Sequence, residues 1–319
     1  MIFTDSYKDY RDGQELFDKL LYSAAQKKFS AVINTINNNK DELRVDAEFY
    51  HAVCALELFH LDAEVLLKRF VLDHPDHPKS KKVFFQLGRH NYRTKRFKKV
   101  IEFFSLVDPY DLNDEERIEY HFKLAYAYFY KKKLQLAKPH FKEVISYESD
   151  YKTPAVYYFS HIAYEEGNLQ TALEGFMKIS SNKMFKALVP YYVTQIYHKQ
   201  KKYNLLIDYA PNYLDSVIEK RKGEFAKLIA DAYYYNEKYS TSIPYFVEFK
   251  KTVKPSREDN YQMGYAFYRT QDFNKAIIYF RRASTKKDGM SQTAYYHMAD
   301  CYLKLEEKDY ARNAFQAAS

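Results

Sequence analysis

The chain repeats a pair of residues, one small and one usually aromatic, at a nearly constant interval. The second member follows the first by four positions, so both members of this repeat pair lie on one face of a helix. The copies are the looser Val100/Phe104, then Ala137/Phe141, Ala172/Phe176, the degenerate Leu206/Ala210, Ser242/Phe246, Ala276/Phe280 and Ala311/Phe315. Their first members are 37, 35, 34, 36, 34 and 35 residues apart. An interval of about 34 residues is typical of stacked helix–turn–helix units and not of a catalytic domain.

Glycine and capping residues indicate how the helices between the repeat pairs begin and cross. Gly88 and Gly264 fall within predicted first helices, where glycine is less favourable than alanine by about 1 kcal/mol. We expect a second helix to pass closely at both positions, because a side chain there would hold it away. Ser256 and Asp259 have the spacing of a capping box and predict a helix start.

Three prolines fall within predicted second helices. Pro139 and Pro244 occupy the same position of the repeat, early in the helix, where we expect the missing N–H to cost least. Pro211 lies deeper in the second helix of the sixth unit. It should end that helix after about Tyr209 and let another begin near Asn212.

The composition agrees with a long series of helices. The 319 residues include only 7 glycines and 9 prolines, fewer than a fold rich in tight turns needs. There are 34 tyrosines and 24 phenylalanines but no tryptophan. Tyrosine can bury its ring while its hydroxyl reaches water or a ligand, which suits an elongated fold with most residues near a surface.

The net charge of +8 arises mostly from basic residues placed beside acidic ones on helices, which is typical of a solvated surface. One run contains no acidic residue: Lys81, Lys82, Arg89, Arg93, Lys95, Arg96, Lys98 and Lys99. This run could meet an acidic protein, a lipid head-group surface or a nucleic acid. No nucleic-acid-binding motif accompanies it, so we expect no nucleic-acid partner.

No motif indicates catalysis, a metal or a cofactor. HExxH, CxxC, GxGxxG and the P-loop pattern are absent from the sequence, and His74 and His77 are expected to be ordinary surface residues. Cys54 and Cys301 would be too far apart in a linear array to form a disulfide, and we expect both to be buried. The sequence has no apolar run of about 18 residues and no visible signal peptide. We therefore predict a non-enzymatic protein without cofactor or membrane span.

The chain resembles the tetratricopeptide repeats. The resemblance is clearest in Met263-Gly264 … Phe267 … Asp272-Phe273 … Ala276 … Phe280 … Ala283. It implies an all-α, right-handed superhelical solenoid of about nine antiparallel helix pairs. We assign two degenerate repeats to residues 1–80, where Phe29 marks the start of a second helix and Ala63 fits the next unit. Seven repeats continuous with them occupy residues 81–319.

The family binds its partners on a concave face lined by the first helix of each unit. The resemblance assigns to this face Arg89, Tyr92, Arg93, Tyr126, Tyr130, Tyr157, His161, Tyr164, Tyr191, Gln195, His198, Tyr234, Tyr261, Tyr265, Tyr268 and Tyr296. The face would be rich in tyrosine and have a basic entrance. Alternatively, many of these tyrosines only pack between adjacent first helices. The Lys/Asn/Arg set with which some members clamp a carboxylate is replaced here by mostly aromatic residues.

These features predict a scaffold that binds a peptide or protein partner in the tyrosine-rich groove, and we expect a monomer. An alternative is a carbohydrate or another small ligand bound through stacked tyrosines. The chain is also similar to long bacterial tetratricopeptide proteins of the cell envelope, of which it would be the N-terminal part. That similarity implies a role in envelope assembly or secretion, in the periplasm if a signal peptide has been removed and otherwise in the cytoplasm.

Overall fold

The computed structural model describes residues 2–319, with side chains from Asp5 onward, and this part of the chain is all-helical. Its eighteen α-helices are α1 Ile2–Asp18, α2 Tyr22–Thr35, α3 Glu42–Glu57, α4 Ala63–Asp73, α5 Ser80–Arg93, α6 Phe97–Phe104, α7 Asp114–Tyr130, α8 Leu134–Ile145, α9 Lys152–Glu165, α10 Leu169–Lys178, α11 Val189–Lys199, α12 Tyr203–Tyr209, α13 Glu219–Tyr235, α14 Tyr239–Thr252, α15 Arg257–Arg269, α16 Phe273–Ala283, α17 Gly289–Lys304 and α18 Lys308–Ala318. They follow one another as nine pairs, which confirms the predicted fold class.

The chain divides into two compact halves, an N-terminal half that ends at Ile162 and a C-terminal half that begins at Ala163. The boundary falls within α9. The sequence-based boundary at residue 80 stays a prediction. No helix in the described part of the chain is long and apolar enough to cross a membrane.

The repeat pairs form the core of each helix pair. Ala137, Phe141, Ala172 and Phe176 have no exposed surface, whereas Phe315 remains 38% exposed. The same arrangement extends to the first two helix pairs through Ala25/Phe29 and Ala63/Leu67, all of them buried. The second member of the pair packs against a small residue of the preceding first helix, so the two helices can approach closely.

At three of these helix contacts the small residue is a glycine, because the phenylalanine ring of the second helix leaves no room for a side chain. Three glycines lie sixteen residues before the ring that they contact: Gly13/Phe29, Gly88/Phe104 and Gly264/Phe280. A Cβ atom at Gly88 would lie only 1.9 Å from Cε1 of Phe104, and one at Gly264 would lie 2.8 Å from Cδ1 of Phe280. The close crossing predicted at both glycines is therefore confirmed.

The buried ring of one unit also stacks on a ring from the first helix of the next. The stacked pairs and their centroid distances are Phe29–Tyr50 at 5.3 Å, Phe141–Tyr158 at 5.5 Å, Phe176–Tyr192 at 5.0 Å and Phe280–His297 at 5.4 Å. Such ring pairs contribute about 0.5–1.5 kcal/mol beyond the area that they bury. Each phenylalanine thus holds its own helix pair together and joins it to the following one.

A residue with left-handed backbone conformation lies two positions beyond the end of every first helix. These residues are Leu20, Phe59, Lys95, Lys132, Gly167, Lys201, Glu237, Gln271 and Glu306, with φ between 54° and 78°. Around Lys132, the N–H of Lys133 donates to the carbonyl of Tyr128 at 2.9 Å, and that of Lys132 donates to Phe129 at 2.9 Å. This is the Schellman pattern, in which glycine is the favoured residue. Eight of the nine positions lack glycine, so each of the eight carries a local cost of about 1 kcal/mol.

We expect Lys132→Gly to raise the free energy of unfolding by about 1 kcal/mol, because glycine adopts this conformation without strain. The matched control is Lys131→Gly one residue earlier, where φ is −82°. That change should be neutral or destabilising by up to about 1 kcal/mol. Urea unfolding followed by circular dichroism measures both changes. Equal effects of the two glycines would contradict the assignment of strain to Lys132.

The three prolines agree only in part with their predicted positions. Pro139 and Pro244 are each the sixth residue of their helix, past the four N–H groups that lack partners, so the prediction that they lie where the loss costs least is wrong. Pro211 does end α12 at Tyr209, as predicted. A single 3₁₀ turn over Ala210–Tyr213 follows it in place of another α-helix. The capping box of Ser256 and Asp259 is present.

Candidate first-helix binding face

The predicted site residues all lie on the first helices from α5 to α17, but most of them are not freely exposed. Tyr157 and Tyr191 are buried, with 9% of their surface exposed. Tyr130 and Tyr296 are 59% and 57% exposed, and Arg93 is also exposed. The remaining members of the set are partly buried. Each half of the chain carries its own part of this face, and the two parts differ in chemistry.

In the N-terminal half, the predicted basic entrance is paired with carboxylates. Arg89 Nε donates to Glu119 Oε1 at 2.7 Å, and Lys123 donates to the same carboxylate. Arg93 donates to Glu57, whose side chain is only 9% exposed. Burial lowers the pKa of Lys123. Because its cations already have acidic partners, this part of the face is less basic than its sequence indicates.

The acid-free basic run is likewise compensated across units. Its lysines Lys81, Lys82 and Lys99 pair with Asp111 at 2.8 Å, Glu116 at 2.7 Å and Glu64 at 3.2 Å. These acids lie 30–35 residues away in sequence and come close only through the repeat. Lys95, Arg96 and Lys98 are exposed and form no ion pair within the described part of the chain.

The aromatic residues of the N-terminal half mainly fill the space between adjacent first helices. Tyr92 and Tyr126 meet edge-to-face at 5.5 Å, and Lys123 Nζ lies 5.3 Å from the Tyr92 ring. Burial raises the pKa of Tyr92. His161 packs against Phe129 at 5.4 Å. For these residues the packing role considered as an alternative is the one that the geometry supports.

In the C-terminal half, three cations lie on tyrosine rings of the predicted face. Lys199 Nζ is 4.1 Å from the Tyr164 ring, and Arg221 Cζ is 4.4 Å from the Tyr191 ring. No acidic group among the described residues forms an ion pair with either cation. Attraction between a cation and the face of a ring contributes about 0.5–1 kcal/mol at an exposed site. The tyrosines therefore hold these charges in place without neutralising them.

Arg269 is the best-defined of the three cations. Its Cζ lies 4.8 Å from the Tyr239 ring and 5.8 Å from the Tyr265 ring, and it donates to the Tyr265 hydroxyl at 3.3 Å. The rings of Tyr234, Tyr239 and Tyr265 meet edge-to-face, with centroids 5.5–6.1 Å apart. Arg269 is exposed and forms no ion pair with any described carboxylate. The result is a base of three packed rings that supports a guanidinium group without an ion pair.

A second cluster surrounds His297. Its ring lies 6.1 Å from Tyr261, 5.4 Å from Tyr265 and 5.3 Å from Tyr268. The hydroxyl of Tyr268 donates to Asp300 at 2.7 Å. Burial lowers the pKa of His297, which favours its neutral form. The exposed Tyr296 lies at the edge of this cluster, with its ring 5.9 Å from His297 and 5.8 Å from Phe315.

The polar members of the predicted face have partners on neighbouring helices. Gln195 accepts a hydrogen bond from Tyr164, and Tyr191 donates to Glu224 at 2.7 Å. His198 Nε2 lies 3.4 Å from Asp231, a carboxylate that also accepts from Lys227. These contacts fix the spacing of the first helices.

The sequence-based set omitted the cations and His297, although signals for them exist. Lys199 and Arg269 are the last residues of their helices and stand seven positions before Leu206 and Ala276 of the repeat pairs. His297 follows Phe280 by seventeen residues, the same interval that separates Phe141 from Tyr158. Aligning the units by the repeat pair would have revealed all three residues.

His74 and His77 were expected to be ordinary surface residues, but their side chains are only 14% and 19% exposed and lie beside carboxylates. His74 Nε2 lies 2.9 Å from Glu48, and His77 Nε2 lies 3.5 Å from Asp46. No group of three potential metal ligands occurs among the described residues. Burial raises the pKa of the free thiols of Cys54 and Cys301 to about 12, so both are inert.

Comparison with known proteins gives one family match and many structural ones. Residues 226–318 match the family described as anaphase-promoting complex, cyclosome, subunit 3. The C-terminal part of a TPR repeat-containing protein from Cytophaga hutchinsonii is 16% identical, with a TM-score of 0.50 over 73% of this chain and 93% of that one. No curated protein matches.

Two further structures are similar at lower scores. The apo form of RapI is 16% identical, with a TM-score of 0.48 over 98% of this chain and 96% of its own. A tetratricopeptide repeat protein from Parabacteroides merdae is 13% identical, with a TM-score of 0.44 over 86% and 98% of the two chains. From its helix pairs, its repeat interval and its likeness in fold to the Cytophaga protein, the chain has the fold of the tetratricopeptide-repeat proteins.

Proposed function

We propose that the chain is a non-catalytic scaffold that binds a peptide or protein segment on the first-helix face of its C-terminal half. The observation that carries the proposal is Arg269, an unpaired guanidinium group held on the rings of Tyr239 and Tyr265. The family that matches residues 226–318 is named for a subunit of a complex, which supports a role in protein assembly. The compartment and the envelope process stay predictions.

The chemistry of this face suits a polypeptide that carries carboxylates. An arginine side chain whose position is fixed loses little entropy when it binds a carboxylate, and it can donate two parallel hydrogen bonds. Lys199 and Arg221 repeat the arrangement on Tyr164 and Tyr191. Partly exposed tyrosine rings beside these cations add apolar contact area at a low entropy cost. We therefore expect the bound segment to be acidic, with apolar side chains between its charges.

The carbohydrate alternative is less well supported by the ring geometry. A sugar stacks on the open face of an aromatic ring. On this surface Lys199 covers Tyr164, Arg221 covers Tyr191, and Arg269 lies over Tyr265. A sugar would have to displace these cations before it could stack, so the geometry favours a peptide.

We expect Arg269→Ala to lower partner recovery at least about tenfold, as is typical for the loss of a charge-assisted hydrogen bond. The matched control is Arg282→Ala, which removes the same charge from the second helix α16. Arg282 also lies on a tyrosine, with its Cζ 5.5 Å from the Tyr279 ring. Each immobilised protein is incubated with native lysate at about 50 mM and about 500 mM NaCl, and bound proteins are identified by mass spectrometry.

A single partner that is lost with Arg269→Ala and retained with Arg282→Ala is the predicted result. Equal recovery by both variants would place the binding surface elsewhere. The absence of any specific partner would count against the scaffold role of residues 1–319.

A further inference from the structure

The turns that close the first four helix pairs lie along one edge of the N-terminal half, which we call the turn edge. It consists of residues 18–21, 58–62, 94–98 and 131–133, each of which spans the junction between the first and the second helix of a pair. The left-handed residues Leu20, Phe59, Lys95 and Lys132 mark equivalent positions in these turns. Equivalent positions of stacked repeats lie side by side, so the four turns form one continuous strip.

Contacts between neighbouring turns support this continuity. The Phe59 ring lies 5.3 Å from His90, and the guanidinium of Arg93 lies 5.4 Å from the same ring. One unit further on, Phe97 packs against Tyr130 with ring centroids 4.5 Å apart. The second, third and fourth turns are therefore in contact through the side chains that flank them.

One end of the turn edge is strongly basic. It carries the cations Lys95, Arg96, Lys98, Lys131, Lys132 and Lys133, all of them exposed. None of them forms an ion pair within the described part of the chain, unlike Arg93 and Lys99 beside them. The loop between the third and fourth units, which follows a second helix, instead carries the acids Asp108 and Asp111. Six cations without an ion pair are therefore concentrated at one end of the turn edge.

The other end of the turn edge exposes large apolar side chains. Leu20 and Leu21 are 69% and 53% exposed, Phe59 is 58% exposed, and Leu61 is fully exposed at 103%. Of the four, the Phe59 ring is flanked by His90 and Arg93 but keeps more than half of its surface exposed. Four such side chains next to six unpaired cations are unusual on one surface of a soluble fold, because exposed apolar patches usually mark an interaction site.

We propose that the turn edge binds the surface of a membrane that contains anionic lipids. A nucleic acid or a purely acidic peptide would pair with the cations but would leave Leu21 and Leu61 in water. An anionic bilayer accommodates both features, since its head groups attract the cations and its acyl boundary takes up the apolar side chains. The two exposed acids of the edge, Asp18 and Asp62, lie at its apolar end, away from the cations.

Co-sedimentation of the full 319-residue chain with lipid vesicles tests the proposal. We expect binding to phosphatidylcholine vesicles with roughly one third phosphatidylglycerol, and little binding to phosphatidylcholine alone. The triple variant Lys98→Gln/Lys131→Gln/Lys133→Gln should bind about a hundredfold more weakly, because each cation near an anionic surface is worth about a fivefold change. The control Lys254→Gln/Lys286→Gln/Lys287→Gln removes the same charge from exposed positions elsewhere and should bind like the parent.

A second variant tests the apolar component. Leu21→Ser/Leu61→Ser should remove the binding that persists at high salt, with an unchanged helical content by circular dichroism as the check on folding. If both lysine variants lose vesicle binding equally, the binding depends only on the net charge of the protein, and the proposal is overturned. Unchanged binding in the leucine variant, or binding to a soluble DNA duplex but not to vesicles, would overturn it by identifying a site for soluble polyanions.

Discussion

Gly88→Ala is expected to lower the free energy of unfolding by about 3 kcal/mol, although alanine is the better helix former by about 1 kcal/mol. The new Cβ would lie 1.9 Å from Cε1 and 2.2 Å from Cδ1 of Phe104. The Phe104 ring cannot move away, because it has no exposed surface and is packed between Phe85 at 5.9 Å and Tyr120 at 4.9 Å. The two helices must separate instead, and the core of that unit loses its close packing.

The matched control is Gly289→Ala in α17, where an added Cβ meets nothing within 4 Å. That variant should be as stable as the parent or slightly more so. Urea unfolding followed by circular dichroism measures both. In addition, Gly88→Ala/Phe104→Leu should recover part of the loss, since the smaller side chain makes room. A Gly88→Ala variant as stable as the parent would refute the close crossing of α5 and α6.

Glu119→Gln is expected to destabilise the N-terminal half by about 2–3 kcal/mol. The Glu119 carboxylate accepts from Arg89 at 2.7 Å and from Lys123, whose side chain is only 10% exposed. Without the carboxylate, two neighbouring cations repel each other, and burial leaves Lys123 poorly solvated. The loss far exceeds that of a surface ion pair, which is about 0–1 kcal/mol.

Two further variants separate this effect from a simple change of net charge. Glu115→Gln removes an exposed carboxylate from the same helix, and we expect a loss of no more than about 1 kcal/mol, from the helix dipole. Glu119→Gln/Lys123→Met should be more stable than Glu119→Gln alone, because the buried cation is gone. If Glu119→Gln and Glu115→Gln are equally stable, the ion cluster does not stabilise the fold.

The fold was largely predictable because its dominant contacts recur at a fixed interval. Ala137 and Phe141 have the spacing that close packing of two helices requires. Because the sequence repeats this spacing in each unit, the helix pairs can be recognised without a structure. The first unit obeys the same rule, but its pair Ala25/Phe29 precedes Ala63 by 38 residues, and Phe29 lies within α2 instead of at its start. The pair Ala25/Phe29 was not recognised because the interval that follows it is longer than the others.

Features that depend on contacts between units could not be predicted in the same way. The partner of Lys82 is Glu116, 34 residues later, so a run without local acids looked more basic than the folded surface is. The left-handed turn at Lys132 was invisible because lysine is not the residue that this conformation favours. The tyrosines of the predicted face do lie on first helices, whereas the rings on which a cation such as Arg269 lies could be identified only from the coordinates.

Binding on the first-helix face of the C-terminal half is tested most directly by hydroxyl-radical footprinting of tyrosine side chains, with and without the captured partner. We expect reduced oxidation of Tyr235 and Tyr296, which are 51% and 57% exposed on first helices of the C-terminal half. We expect no change at Tyr310 of the second helix α18, which is 61% exposed, or at Tyr110, which is 91% exposed between the third and fourth units. Protection of Tyr310 or Tyr110 without protection of Tyr235 and Tyr296 would contradict binding on the first-helix face.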